Sequence, residues 1–348
     1  MTSISIQKIL IRTLLSLPAP ILRTLSGGGV VYRGGRTLDP RLQFLAAAGA
    51  RAPAMSSTSP SEARRGSDAT LSTVDGAREH GVNIEALSIL GPGGDIPARS
   101  YRPNDQDPDN PVMVYAHMGG GVIGGLDTCD IFCTILAKVA RAAVVSVDYR
   151  LAPEHRFPAG LEDVLAAYRW TRDHADQFGA PVGRAAIGGD SMGGNFAAIL
   201  AQEMKRAGEP QPDLQLLIYP CVDVASETPS MTTYAETFPL TRATMEWFMG
   251  HYLGPDADPA DPRLSPIRAA DLSGLAAAIV VTAGFDPLVD QGEAYAKLLR
   301  GAGVPVAYRC YDALTHAFTA FSGAVPCAEV ACREIAGLVR DGLSGRIR

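Results

Sequence analysis

The stretch Gly189-Asp190-Ser191-Met192-Gly193 constrains this chain more than any other feature. It fits the pattern G-x-S-x-G. A short apolar run, Ala185–Gly188, precedes it, and a helical pattern, Gly193–Ala207, follows. A serine on a tight strand-to-helix turn takes strained backbone angles and pushes its Oγ out of the top of a sheet. Glycines flank such a serine because a Cβ there would collide with neighbouring backbone. The helix N-terminus behind Ser191 favours negative charge. A phosphate-binding loop would carry Lys after its last Gly, and here Asn195 follows Gly194. The stretch is not G-x-G-x-x-G either. An exposed serine nucleophile on an open α/β sheet is the expectation.

The surrounding pattern agrees. Eight apolar runs read as strands: Ala86–Leu90, Ile96–Tyr101, Val112–His117, Ala143–Tyr149, Ala185–Gly188, Leu214–Pro220, Ala278–Ala283 and Val306–Tyr311. Pro92-Gly93-Gly94-Asp95 joins the first two as a hairpin. Helical patterns at Ile131–Arg141, Gly160–Gln177, Gly193–Ala207, Gln291–Ala302 and Val325–Asp341 alternate with the later runs. Such alternation predicts an eight-stranded, mostly parallel sheet with helices on both faces.

Residues 1–80 differ from the rest. Ile6, Ile9, Leu10, Leu14, Leu15 and Leu17 fit a helical stripe that Gly27–Gly29 breaks. Leu38–Ala48 reads as a helix entered from Asp39-Pro40. Ser56–Ser67 is small and polar and is expected to be a mobile loop. These residues are expected to form an N-terminal cap segment, with residues 81–348 as the catalytic domain. A second cap insert is expected at about 225–270, where Thr241–Tyr252 is helical.

A nucleophilic serine needs a base, and the base needs an orienting acid. On an open sheet with this turn, the three follow in the order Ser, acid, His. Only His251 and His316 come after Ser191. His251 lies in the insert, whereas His316 follows the last strand. Asp286 ends the preceding strand, with Asp290 and Asp312 as less suitable neighbours. Developing negative charge on the substrate needs N–H donors. Gly119 and Gly120, in the run His117-Met118-Gly119-Gly120-Gly121, and the N–H of Met192 are placed to donate. His117 is expected to hold that loop rather than act as a base.

Several stretches taken together resemble the hormone-sensitive-lipase group of bacterial carboxylesterases, within the α/β-hydrolases. They are His117–Gly120, Asp148-Tyr149-Arg150-Leu151-Ala152-Pro153-Glu154-His155, Gly189–Gly194, Asp261-Pro262-Arg263-Leu264-Ser265-Pro266, Gly284–Leu288 and His316–Phe318. The resemblance runs from about residue 85 to the end. It implies an α/β-hydrolase fold with a helical cap and a serine carboxylesterase acting on short- to medium-chain acyl esters. It assigns Ser191, Asp286 and His316 as nucleophile, acid and base, with Gly119, Gly120 and Met192 as oxyanion donors. Non-catalytic binding members of the fold, and lipase, amidase or lactonase chemistry on the same triad, are the alternatives. The group usually has Gly where this chain has Met118, an aromatic residue where it has Gly121, and Ala where it has Met192. Met118 and Gly121 are therefore expected to shape the substrate pocket, and Met192 to fill either a core gap or the pocket wall.

Composition excludes other classes. Lys+Arg 31 against Asp+Glu 37 gives a charge of −6, which implies no general affinity for nucleic acid or anionic membrane. Arg12, Pro18 and Pro20 interrupt the N-terminal apolar stretch, so neither a membrane span nor a signal peptide is expected. Six cysteines without a C-x-x-C pair read as free thiols in a cytoplasmic chain, with no metal site and no cofactor. A homodimer is compatible with the sequence.

Overall fold

Continuous apolar runs and alternating ones build different parts of the sheet in the computed structural model, which describes residues 3–347, with side chains from Lys8 onward. The stripe residue Ile6 lies outside the described side chains. Helices α1 (Ser3–Leu15), α2 (Ala19–Leu25), α3 (Pro40–Gly49) and α4 (Pro60–Val74) come first. Strands β1 (Val82–Gly91) and β2 (Gly94–Pro103) form the hairpin, with Gly91 opposite Gly94. Then follow β3 (Val112–Ala116), α5 (Asp130–Ala140), β4 (Val144–Val147), α6 (Ala159–Asp173), β5 (Ala185–Asp190), α7 (Met192–Ala207) and β6 (Gln215–Ile218). The insert carries α8 (Pro229–Thr233) and α9 (Arg242–Tyr252). The chain ends with β7 (Ala278–Phe285), α10 (Val289–Gly301), β8 (Val306–Thr315) and α11 (Pro326–Leu343).

All eight expected strands join one sheet in the order β1-β2-β4-β3-β5-β6-β7-β8. Every neighbour from β4 to β8 is parallel, while β1 and β2 run antiparallel at one edge. Central strands such as β3 are buried along their whole length because helices cover both faces. Val112, Val114 and Ala116 pack on one face, with α6, α7 and α10. Met113 and Tyr115 point to the other, with α5 and α11. Edge strand β1 instead alternates between exposed and covered residues over much of its length.

Strand order positions the site. After β3 the chain moves outward to β4, then crosses back to β5 on the other side of β3. Loops leaving the carboxyl ends of β3 and β5 diverge there and leave a crevice, the usual ligand site of an open α/β sheet.

One expectation fails. Residues 60–67 belong to helix α4 rather than to a loop. Ser59 caps it: its Oγ accepts from the Glu62 N–H, and the Glu62 carboxylate accepts from the Ser59 N–H at 2.9 Å. Pro60 occupies the first turn, where its missing N–H is no loss. Small, polar residues hid a helix whose start signal is the S-x-x-E spacing itself.

Candidate active site

Ser191 sits between β5 and α7 with φ 56° and ψ −114°, a conformation rarely adopted by a residue with a side chain. Its neighbours force the turn to be glycine on both sides. A Cβ on Gly193 would stand 1.9 Å from the Ala116 carbonyl oxygen, and one on Gly189 would stand 2.3 Å from the Gly193 carbonyl carbon. The Ser191 N–H donates to the Ile218 carbonyl at 2.8 Å, which ties the turn to β6.

Asp286 follows the last residue of β7, and His316 follows the last residue of β8. The structure joins them to Ser191 by two hydrogen bonds. His316 Nε2 lies 2.9 Å from Ser191 Oγ, and His316 Nδ1 lies 2.7 Å from Asp286 Oδ2. Asp286 Oδ1 also accepts from the Leu288 N–H at 2.9 Å, so its carboxylate is fixed at both oxygens. Ser191, His316 and Asp286 are 8%, 5% and 0% exposed. With Asp286 accepting from Nδ1–H, Nε2 is left as the acceptor for the serine proton.

The other candidates lie elsewhere. His251 stacks edge-on against Trp247 on α9. Asp290 accepts from the Ser230 N–H at 2.8 Å and anchors α8. Asp312 is largely exposed and pairs with Arg36 at 2.9 Å.

Glycines build the loop after β3. Gly119, Gly120, Gly121 and Gly124 all have positive φ. The Gly119 carbonyl accepts from the N–H groups of Val122 and Ile123, which closes the loop on itself. Neither Gly119 nor Gly120 N–H donates to a protein acceptor among the described residues. Met192 is the first residue of α7, where an N–H has no intrahelical partner. All three N–H groups are thus uncommitted.

His117 supports this loop from beneath. It is fully buried and stacks on the Tyr149 ring at 4.2 Å. Its Nδ1–H donates to the Met118 carbonyl at 2.7 Å, and its own carbonyl accepts from the Tyr149 hydroxyl at 2.8 Å. Burial pushes its pKa down to about 4, so the ring is neutral near pH 7.

Two distant elements hold the loop from outside, and neither was foreseen. Arg64 on α4 donates to the Val122 carbonyl at 2.9 Å and to the Ala152 carbonyl at 2.8 Å. The same guanidinium forks onto Glu154 at 2.9 and 2.6 Å, and holds that carboxyl down at about 2. From the insert, Phe248 and Tyr252 on α9 press onto the glycines. A Cβ on Gly120 would stand 2.4 Å from the Phe248 ring, and one on Gly121 2.6 Å from the Tyr252 ring. Tyr252 thus occupies the space beside Gly121. Met118 and Met192 are both buried, and Met192 belongs to the core cluster that contains Val122 and Phe248.

A further buried acid stands next to the nucleophile. Asp190, fully buried beside the serine, accepts from the Tyr219 hydroxyl at 2.9 Å and the Thr319 hydroxyl at 3.0 Å. Burial raises its pKa. Tyr219 lies 4.7 Å from the His316 ring, so this network backs the histidine. Its signal was an acid next to the serine, but its partners lie on other segments.

The chain is similar to known proteins in sequence and fold. Residues 113–320 match a family described as alpha/beta hydrolase fold. The chain is 44% identical over 312 residues to the carboxylic ester hydrolase LipN of Mycobacterium tuberculosis, covering 87% of this chain and 82% of that one. It is 39% identical to the ethyl acetate hydrolase of Pseudomonas putida, covering 74% and 82%. Among solved structures, the esterase of the archaeon Pyrobaculum calidifontis superposes with a TM-score of 0.80 at 39% identity. That match covers 86% of this chain and 96% of that one. Among the described residues no helix is long and apolar enough to cross a membrane. By fold, family match and sequence kinship, the chain belongs to the hormone-sensitive-lipase-like carboxylesterases of the α/β-hydrolase superfamily.

Proposed function

We propose that this carboxylesterase hydrolyses short- to medium-chain acyl esters through an acyl-enzyme on Ser191. The observation that carries the reading is the unbroken hydrogen-bond relay from Asp286 through His316 to Ser191 at a strained turn. His316 Nε2 takes the Ser191 proton as Oγ attacks the ester carbonyl. Asp286 holds the imidazole tautomer and stabilises the imidazolium. The N–H groups of Gly119, Gly120 and Met192 receive the oxyanion. The alcohol departs with the proton from His316, and water activated by the same nitrogen releases the acid and frees the serine.

The presence of His316 favours an enzyme over a binding-only member of the fold. The relative named for ethyl acetate hydrolysis supports a small acyl group. Residues 1–80 and the insert at about 225–270 act together as the cap in this reading. Trp247 of the insert supports it by donating to the Thr58 carbonyl at 3.2 Å. Six unpaired thiols support a reducing, cytoplasmic setting.

Hydrolysis of p-nitrophenyl esters from acetate to palmitate, with Ser191→Ala as control, tests the proposal. Turnover should peak at short or medium chains, and the variant should lose about a thousandfold or more in kcat while staying folded. Equal turnover by the variant would remove Ser191 as nucleophile. A maximum at palmitate would replace the esterase reading with a lipase.

A further inference from the structure

The surface of the N-terminal helices departs from the rest of the molecule in both polarity and charge. Ten large apolar side chains are exposed among the described residues, and six of them fall between Ile9 and Tyr32: Ile9, Leu10, Ile21, Leu25, Val30 and Tyr32. The other four are scattered singly, as is ordinary for any protein surface. These helices are not loose. Leu15 and Leu22 are buried, Lys8 pairs with Asp75, and the Arg41 guanidinium donates to the Leu15 carbonyl at 3.0 Å. Each helix is therefore anchored by one face while the other presents apolar side chains to solvent. On α2, Ile21 and Leu25 lie one turn apart on the same outward stripe.

Charge singles out the same segment. Seven basic side chains lie between Lys8 and Arg51 against one acid, Asp39. This stretch carries +6 in a chain of net −6, so the remainder carries −12. The average hides the asymmetry, and at physiological salt charges act over only about 8 Å. Arg12, Arg23, Arg33 and Arg51 pair with no carboxylate among the described residues.

We propose that α1, α2 and the short antiparallel pair after them, Tyr32–Arg33 with Arg36–Thr37, dock onto an anionic lipid surface, with the apolar side chains entering the headgroup region and the arginines meeting lipid phosphates. Charge decides this occupant over a second copy of the chain. A two-fold dimer would set the patch against itself, with the arginines that have no carboxylate partner facing their own copies, and like charges repel across such an interface. The docking surface stands independently of the catalytic reading, because none of its residues belongs to the triad or the oxyanion loop.

Co-sedimentation of the full chain with lipid vesicles tests the proposal, using Ser191→Ala protein so that turnover plays no part. Vesicles containing phosphatidylglycerol should bind the chain at least about tenfold better than phosphatidylcholine alone, and less as salt rises from about 0.15 to 1 M. Ile21→Asp with Leu25→Asp should lower binding by about tenfold or more. Arg23→Gln with Arg33→Gln should lower it by at least about fivefold, the worth of one basic residue at such a surface. Thermal melts by circular dichroism should show both variants folded. No sedimentation with phosphatidylglycerol vesicles, or binding that neither pair of substitutions changes, overturns the proposal. So does a lipid-free dimer, seen by analytical ultracentrifugation, that Ile21→Asp with Leu25→Asp dissolves, since the patch would then be a contact between copies.

Discussion

The nucleophile turn and the oxyanion loop meet at one crevice but are held in different ways. The turn is shaped by backbone packed against backbone: Gly189 against Gly193, and Gly193 against Ala116 at the end of the adjacent strand. The oxyanion loop has four glycines in left-handed conformations and little to choose among shapes by itself. Side chains from elsewhere select its shape: Arg64 from the N-terminal helices, Phe248 and Tyr252 from the insert, and His117 from beneath. A rigid turn written in a few residues and a pliable loop completed by distant ones together form the site.

The largest expected effect breaks the turn. In Gly193→Ala, a Cβ 1.9 Å from the Ala116 oxygen has only backbone to push against. The substitution should destabilise the protein by at least about 3 kcal/mol and abolish turnover. Gly194→Ala is the control: its nearest contact is the Pro220 Cβ at 3.0 Å, and it should cost about 1 kcal/mol. Urea denaturation of both checks this. Equal midpoints would mean that the turn is not set by that clash.

This contrast explains what the sequence revealed. Ser191, Asp286 and His316 were legible because each follows a strand in a fixed order, and strand ends are readable from apolar runs. The sheet was legible for the same reason. The oxyanion glycines were visible, but their supports were not. Arg64 serves two carbonyls 58 and 88 residues away, and no spacing announces such a contact. Tyr252 fills a gap beside Gly121 from a separate insert. Asp190 lies within the serine motif, yet its role depends on Tyr219 and Thr319, brought together only by the fold.

Next in size is a pH effect beneath the loop. His117 titrates near 6.5 in the unfolded chain and at about 4 when folded, because burial penalises its charged form. Between those values the unfolded state binds the extra proton, so stability falls as pH drops from about 6.5 towards 4. Above 6.5 the contribution is fully present. By pH 4.5 the loss should reach about 2–3 kcal/mol. His117→Asn keeps an N–H near the Met118 carbonyl without a titrating ring. Its stability at pH 7 should be lower than wild type, and the gap should narrow by that amount at pH 4.5. Parallel curves from urea titrations at the two pH values would show that His117 is not the group responsible.

Arg64 sharpens the comparison on the kinetic side. It touches no reacting atom, so it is a positioning residue for the loop. Arg64→Met should lower kcat by about 10- to 100-fold, as expected when oxyanion donors are displaced, with a much smaller change in KM. Arg64→Lys should recover little, because an ammonium cannot fork onto Glu154 while reaching two carbonyls. A lost fold with no change in kcat per folded molecule would mean that Arg64 only staples α4 to the body.

The smallest effect tests whether the missed helix matters to the site it supports. Ser59 and Glu62 satisfy each other's N–H groups at the start of α4. Arg64 lies two residues beyond Glu62, and the Thr58 carbonyl just before the cap accepts from Trp247. Ser59→Ala removes one side of this box and should cost about 1 kcal/mol. That loss should be local, since the first turn of a helix frays before its middle. Amide exchange should quicken at Glu62 and Ala63, and kcat should fall by less than in Arg64→Met. If exchange quickens there while kcat stays at the wild-type value, Arg64 is held by its own partners rather than by the helix that carries it. If both move together, a capping box more than a hundred residues before the nucleophile is part of what shapes the oxyanion loop.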